Sequence, residues 1–474
     1  MGAESPKEEC GLFGVWTPNE QVSKLIFFGL YALQHRGQES AGIAVADGSG
    51  ILVYKDMGLV AQVFSEGTLA TLEGTLGIGH TRYSTTGSTK WENAQPSYKP
   101  TVVGGGVALG HNGNLTNTIE LAQMVKQRSG PLATTDSDLV AEMLAARATD
   151  GNLEEAIAET MPLLQGAYSF VMMDERTVYG ARDPHGIRPL SIGRLPGGGW
   201  VLASETCALD IVGAAFVRDV EPGEMVSIDD RGLRSRIIAK PTPKLCIFEY
   251  VYLARPDSVM QERSVHDARR EMGRLLAQEA PVDADMVFGV PDTGPVAAAG
   301  YAEESGIPYG EGLIKNRYVG RTFIQPTQTI RQLGIRLKLN PLKQAIEGKR
   351  LIVVDDSIVR GNTTQQIVRM LREAGAREVH LRITSPPIRW PCFYGIDMAT
   401  RAELVASDLS IEEIRAYIGA DSLAYLSLAG LVKATGSPAD AFCRACFDGI
   451  YPVPIPEGAL EHKFVLERQP TTIE

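Results

Sequence analysis

The sequence predicts an α/β and α+β chain of two domains, helices on antiparallel sheets first and a parallel sheet with crossover helices second. Three observations lead there. The chain has 474 residues, more than one hydrophobic core usually supports. Over roughly the first 235 residues it shows short apolar or alternating runs broken by Gly clusters, with few helical stretches between them. After Pro241-Thr242-Pro243 strand-like and helical runs alternate, and the boundary is expected near residues 230–245.

In the first half the strand-like runs are 50–54, 76–79, 102–109, 168–173 and 200–204. Helical periodicity appears at 22–34 and 137–147, so helices are expected to cover antiparallel sheets. In the second half strands are expected at 285–290, 350–354 and 379–384, and helices at 265–278 and 364–374. That alternation marks a parallel sheet.

Composition narrows the function. Hydrophobic residues are 44% and charged residues 22% of the chain, ordinary for a globular protein. The 46 Lys and Arg against 57 Asp and Glu give a net charge of −11, which argues against a surface that coats nucleic acid. Anionic small substrates stay open, because a nest of backbone amides binds phosphate whatever the net charge. No apolar run reaches membrane-helix length, and Met1 to Glu9 is polar and acidic, without a signal peptide's apolar stretch. A cytoplasmic protein is expected, and six cysteines are too few for a disulfide scaffold.

Cys10-Gly11-Leu12-Phe13-Gly14 places a thiol between the acidic leader and an apolar run. A thiolate attacks amides, and a thiol needs a base to become one. If residues 1–9 are removed, the new α-amine, with an unperturbed pKa of about 8, sits on the nucleophile's own residue. Read by itself, Cys10 is better explained as a small buried hydrophobe. Four neighbours change that. Leu33 to Gly42 reads LQHRGQESAG. Gly79 to Thr85 carries Arg82, whose fork matches a carboxylate. Gly110 to Leu115 carries Asn112 and Gly113, suited to an oxyanion hole. Thr134 to Asp138 opens a helix and supplies Asp136.

In this order the motifs resemble the N-terminal-nucleophile glutamine amidotransferases, over residues 10 to about 235. The resemblance implies an αββα glutaminase domain with Cys10 as nucleophile. It implies Arg82 on the glutamine carboxylate, Asn112 and Gly113 as the oxyanion hole, and Asp136 on the glutamine amine. The family's second carboxylate is shortened here, since the run is Thr135-Asp136-Ser137-Asp138. Asp138 therefore remains an alternative to Asp136.

Arg350 to Thr364 is the most specific stretch. An apolar strand ends in Asp355-Asp356, then Ser357 to Gly361 turn into a helix with Ile367, Val368 and Leu371 on one face. A helix N-terminus binds phosphate, and paired carboxylates suit ribose hydroxyls or hydrated Mg²⁺. The segment resembles the binding motif of type I phosphoribosyltransferases, which places Asp355, Asp356, Ser357, Gly361, Thr363 and Thr364 on the substrate. Asn362 stands where many relatives have Thr. Val290 to Pro295 resembles that family's pyrophosphate loop, with Thr293 on the Mg²⁺ side. Lys315 to Ile324 resembles its closing lid, where Lys315, Arg317 and Arg321, with Arg331 and Lys338 beyond, gather cations.

Together the two resemblances imply a phosphoribosyl-pyrophosphate-dependent amidotransferase. Residues 1–9 would be a propeptide, residues 10–235 the glutaminase, and residues 236–474 the transferase with a C-terminal iron–sulfur region. Ammonia released from glutamine would pass to phosphoribosyl pyrophosphate and give 5-phosphoribosylamine, the opening step of purine synthesis. Cys246, Cys392, Cys443 and Cys446 match the four ligands of the subgroup that binds a 4Fe–4S cluster and carries a cleaved leader. From spacing alone a Cys₄ zinc site is an equal reading. Cys207 is expected to be a packed structural thiol. The resemblance further implies one Mg²⁺ and one cluster per subunit, a homotetramer, and inhibition by purine nucleotides, with neither nucleic acid nor membrane as partner. The competing functions are an amidotransferase with another sugar-phosphate acceptor, which would lack Asp355-Asp356, and a regulator that senses phosphoribosyl pyrophosphate, which would not need Cys10, Arg82 and Asn112.

Overall fold

The computed structural model describes residues 9–83, 88–125, 133–316, 338–396, 398 and 400–456. Arg317 and Arg321 of the expected lid and Arg331 beyond it lie outside the described residues, as do residues 1–8 of the expected leader.

Two antiparallel sheets form the first half. One orders its seven strands as Ala215–Asp219, Ser191–Arg194, Trp200–Ala203, Gly11–Trp16, Leu76–Arg82, Ser40–Ala46 and Ile51–Met57, the other its six as Gly232–Ile237, Glu224–Asp229, Val178–Arg182, Gly166–Met173, Gly106–Leu115 and Ser97–Pro100. Those that matter below are β1 (Gly11–Trp16), β4 (Leu76–Arg82), β5 (Ser97–Pro100), β6 (Gly106–Leu115) and β7 (Gly166–Met173). Helix α1 (Val22–Ala32) buries Val22, Ile26 and Leu30, spaced at i, i+4 and i+8, against Phe13, Ile43 and Val45 of the first sheet. Helix α2 (Asp136–Arg147) packs Leu139, Val140, Met143 and Leu144 on Val107, Leu109, Phe170 and Met172 of the second. Leu12, Ile78, Ala108, Val171 and Val226 fill the space between the sheets. The layers therefore run αββα.

The strand expected from residue 102 begins only at Gly106. Gly104 and Gly105 take φ of +92° and +82°, which turns the chain from β5 into β6 and leaves Val102 and Val103 exposed. An apolar pair was mistaken for the start of a strand.

The second half holds a parallel sheet of β15 (Met286–Gly289), β18 (Arg350–Asp355), β19 (Glu378–Ile383) and β20 (Ser422–Tyr425), side by side in that order. In β18 alternate residues face opposite cores: Ile352 and Val354 meet one cluster, Leu351 and Val353 the other. Helices α4 (Val265–Glu279) and α5 (Gly294–Ser305) cover the first face. Helix α6 (Asn362–Glu373) covers the second with Ile367, Val368 and Leu371. A short parallel ladder sets β14 (Leu245–Cys246) beside β21 (Phe442–Cys443). Among the described residues no helix is long and apolar enough to cross a membrane.

Candidate active sites and the junction between them

Cys10 enters β1, which pairs with β4 so that Gly11 faces Thr81. The thiol is thereby set beside the end of β4, where Arg82 lies. Cys10 Sγ donates to the Tyr83 carbonyl oxygen at 3.5 Å. Burial pushes the thiol up to about 12; the Tyr83 contact and Arg82 oppose this, while Glu9 and Glu39 add to it. At neutral pH this is a protonated thiol that needs a base within reach.

Across the sheet interface, β6 presents Asn112. Its side chain is fully buried, and among the described residues neither Oδ1 nor Nδ2 has a hydrogen-bond partner. A desolvated amide of this kind is costly unless a ligand uses it. Gly113, next along, takes φ +142°. Asp136, at the first turn of α2, accepts from Ser137 N at 2.8 Å and from Leu115 N at 3.2 Å, and His111 Nδ1 lies 3.5 Å away. Asp138 instead pairs with Lys99 at 3.0 Å. Asp136, not Asp138, thus adjoins β6, at His111 and Leu115. Arg82 is buried, and its Nη1 donates to the Ser88 carbonyl at 3.2 Å. Asn112→Ala is expected to lower glutaminase kcat by about 10²–10³ while sparing synthesis from free ammonia; steady-state assays with each nitrogen donor check it.

The second site lies at the carboxyl ends of β15 and β18, where open parallel sheets bind ligands. Asp355 and Asp356 are held above the ordinary carboxylate range, Asp355 by burial and then by Asp356. Burial also raises Asp356, against Ser357, Thr293 and Arg269. Ser357 Oγ donates to Asp356 Oδ1 at 2.5 Å, and Thr293 Oγ1 donates to Asp356 Oδ2. Gly361, at φ +84°, caps α6 and turns its first amides toward the loop. Thr364 is buried in that first turn, with Thr363 beside it. The Pro291-Asp292 peptide is cis, and Asp292 pairs with Lys315 at the start of the expected lid. Two crowded carboxylates, one buried and one half-buried, beside a hydroxyl are a donor set that fits Mg²⁺.

Between the halves lies a buried ionic cluster that sequence reading missed, although Arg36 stands inside a quoted motif. Arg36 Nε donates to the Cys10 carbonyl at 3.2 Å, and its Nη atoms reach Glu205 at 2.6 Å, Glu249 at 2.9 Å and Glu9 at 3.1 Å. Arg188 pairs with Glu9, lies 3.5 Å from Glu249, and donates to the Tyr394 carbonyl. Burial raises Glu205, but His35, Arg36 and the Ser258 hydroxyl outweigh it and hold the carboxyl below the usual range. Cys207 Sγ lies 3.8 Å from Glu205, so this packed thiol does have a polar neighbour.

Glu9 is a third carboxylate among two guanidinium groups. Burial pushes it up to about 8, with Glu249 adding and Arg188 and Arg36 opposing. Its folded pKa exceeds its unfolded one, so its contribution is fully favourable below pH ~4.5 and is lost as pH rises toward 8. A chain keeping residues 1–9 is therefore expected to lose stability from pH 5 to pH 8 relative to one beginning at residue 10. Urea midpoints at the two pH values measure the gap.

Cys246 and Cys443 are register partners in the β14–β21 ladder, and with Cys392 and Cys446 they join one core cluster. Burial raises all four thiols, and Arg188 opposes it at Cys246, Cys392 and Cys443. Tyr394 N donates to Cys392 Sγ at 3.4 Å. Among the described residues no three His, Cys, Asp or Glu side chains form a group that could hold a metal ion. Three buried sulfurs and the half-buried Cys392, three of the four near the Arg188 cation and one already accepting from an amide, are nonetheless chemically suited to a thiolate-ligated cluster.

Known proteins share both halves. A glutamine amidotransferase domain model matches residues 80–210, and a phosphoribosyl transferase domain model matches residues 261–384. Amidophosphoribosyltransferase of Mycobacterium leprae is 62% identical over 474 residues, covering 98% of this chain and 85% of the relative. That of Bacillus subtilis is 49% identical, covering 94% and 95%. A solved structure of glutamine phosphoribosylpyrophosphate amidotransferase from B. subtilis, complexed with ADP and GMP, superposes with a TM-score of 0.89 at 47% identity, over 95% of this chain and 98% of that one. Another, described as the allosteric regulatory enzyme of purine biosynthesis, gives 0.91 at 47%, over 96% and 99%. With identity of this order along nearly its whole length, the chain belongs to the amidophosphoribosyltransferase family.

Proposed function

We propose that the chain converts glutamine, phosphoribosyl pyrophosphate and water to 5-phosphoribosylamine, glutamate and pyrophosphate, the first step of purine synthesis. The observation that carries this reading is the pairing, in one chain, of a buried thiol beside Arg82 with the Asp355–Asp356 loop of a parallel sheet. Residues 10–235 do the glutaminase work and residues 236–474 the transfer.

With residues 1–9 removed, the Cys10 α-amine takes the thiol proton and the sulfur attacks the glutamine side-chain carbonyl. Asn112 Nδ2 and the Gly113 N–H stabilise the developing oxyanion. Arg82 grips the substrate carboxylate and Asp136 its ammonium. Ammonia leaves, and water then frees glutamate from the thioester. At the second site Asp355 and Asp356 take the ribose hydroxyls, while Ser357, Gly361, Thr363 and Thr364 hold the 5′-phosphate at the α6 N-terminus. The loop with Thr293 faces the pyrophosphate, and Lys315 and Arg321 belong to the lid. Ammonia bonds to the anomeric carbon as pyrophosphate departs. A Mg²⁺ ion held by Thr293, Asp355 and Asp356 would supply charge neutralisation to the leaving group. Ammonia is protonated in open water, so closure around both sites is part of the mechanism.

The same reading includes a 4Fe–4S cluster on Cys246, Cys392, Cys443 and Cys446, supported by their place in or against one core cluster and by the Arg188 charge near three of them. It includes a homotetramer in the cytoplasm, where six unpaired thiols stay reduced. Purine nucleotides inhibit it, consistent with the ADP and GMP in the B. subtilis relative. Anaerobic purification followed by intact mass, iron and sulfide content, light scattering and product assay tests these points. A colourless, zinc-containing protein would sink the cluster. Glutamine-active protein still bearing residues 1–9 would sink the leader, and absence of phosphoribosylamine the function.

A further inference from the structure

The strand that carries Asn112 and Gly113 meets the second half of the chain at Phe393 and Gly395, and Arg188 meets the residue between them. The Phe393 carbonyl accepts from Asn114 Nδ2 at 2.9 Å. The Tyr394 carbonyl accepts from Arg188 Nε at 2.9 Å and Nη2 at 2.7 Å. Gly395 then lies against Gly113 itself: a Cβ on Gly395 would stand 3.0 Å from Gly113 Cα, 3.1 Å from its carbonyl carbon and 3.2 Å from its oxygen. Gly395 also has φ +115°, a conformation that favours glycine.

Gly113 has little room to withdraw. Its own Cβ position lies 2.1 Å from the Ala167 carbonyl oxygen of β7, with which β6 is in register through Asn112↔Ser169 and Gly113↔Tyr168. The backbone at Gly113 is thus held between β7 and the 393–395 segment. We propose that Gly395 is a positioning residue for glutamine hydrolysis, and that residues 393–395 brace the oxyanion-hole backbone from the second half of the chain. This rests on the oxyanion-hole reading of Asn112 and Gly113. A displacement of that amide weakens the transition state more than the bound substrate, because Arg82 and Asp136 hold the glutamine from other elements.

The test uses the processed full-length protein. Gly395→Ala is expected to lower glutaminase kcat on the order of tenfold to a hundredfold, with KM for glutamine changed by less than about threefold. Binding of glutamate γ-semialdehyde, whose carbonyl adds Cys10 Sγ and places its oxygen in the same hole, should weaken by the same factor as kcat. Synthesis from free ammonia should hold. Asn114→Ala, which removes the Phe393 contact without adding bulk, should lower kcat a few-fold in the same pattern. An unchanged kcat in Gly395→Ala overturns the brace. If Gly395→Ala loses ammonia-dependent synthesis as well, Asn114→Ala decides, and an unchanged kcat there overturns it. An unchanged kcat in Asn112→Ala would instead overturn the oxyanion-hole reading beneath it.

Discussion

Cys10→Ala is expected to abolish glutamine-dependent synthesis, with a loss of at least about 10³-fold, while synthesis from ammonium salts continues near its original rate. The asymmetry follows from the layout. Cys10 sits at the start of β1 in the antiparallel half, and its polar neighbours are Tyr83, Arg82, Glu9 and Glu39. Asp355, Asp356 and Thr293 lie at the carboxyl ends of β18 and β15 in the parallel half. Removing the sulfur therefore leaves the phosphoribosyl site whole. Cys10→Ser is the sharper experiment. A hydroxyl is a far weaker nucleophile at the same position, and the α-amine base would remain if the leader were still removed. Little recovery over alanine would show that sulfur chemistry, rather than filling of a buried site, is what the position supplies. Parallel assays with glutamine and with ammonia measure both arms. Equal losses with the two nitrogen donors would contradict the division of labour.

The order of strands and helices was legible in the sequence because each has a period. β18 shows four consecutive apolar residues facing two cores, and α1 repeats its apolar positions at helical spacing. The motif residues were legible for a different reason: nucleophile, clamp and paired carboxylates need particular chemical types at short spacing. The junction was not. Glu9, Arg36, Arg188, Glu205 and Glu249 are far apart along the chain, and each reads as an ordinary surface charge. Only the docking of the two halves removes them from water. Gly395 was equally silent, since a glycine's role depends on what lies against it. Asp136 and Asp138 illustrate the same limit at close range. Two residues apart on α2, they turn to different partners, Leu115 N and Lys99, and sequence leaves them nearly equivalent.

Asp356→Asn is expected to reduce phosphoribosylamine synthesis by more than about 100-fold with either nitrogen donor, and to make the substrate-free protein more stable. The two effects have one cause. Asp355 and Asp356 are adjacent, half-buried and buried respectively, and raised above the usual carboxylate range by desolvation and, at Asp355, by the neighbouring charge. Because their folded pKa values lie above the unfolded ones, their favourable contribution is lost as pH rises past the ordinary carboxylate range. Replacing one carboxylate with an amide removes that penalty; its oxygen still accepts from one of the Ser357 and Thr293 hydroxyls, and its NH2 donates to the other once that hydroxyl rotates. A melting temperature higher by about a few degrees is expected at pH 8, and a smaller difference at pH 5. Added Mg²⁺ with phosphoribosyl pyrophosphate should stabilise the original protein and leave Asp356→Asn nearly unmoved. Thermal melts at both pH values, with and without these ligands, separate the outcomes. A variant that lost activity and stability together would point to a carboxylate needed for folding. The reverse pattern would identify the pair as strained for function: two charges that the fold keeps close and dry so that a cation and two ribose hydroxyls can replace the missing water.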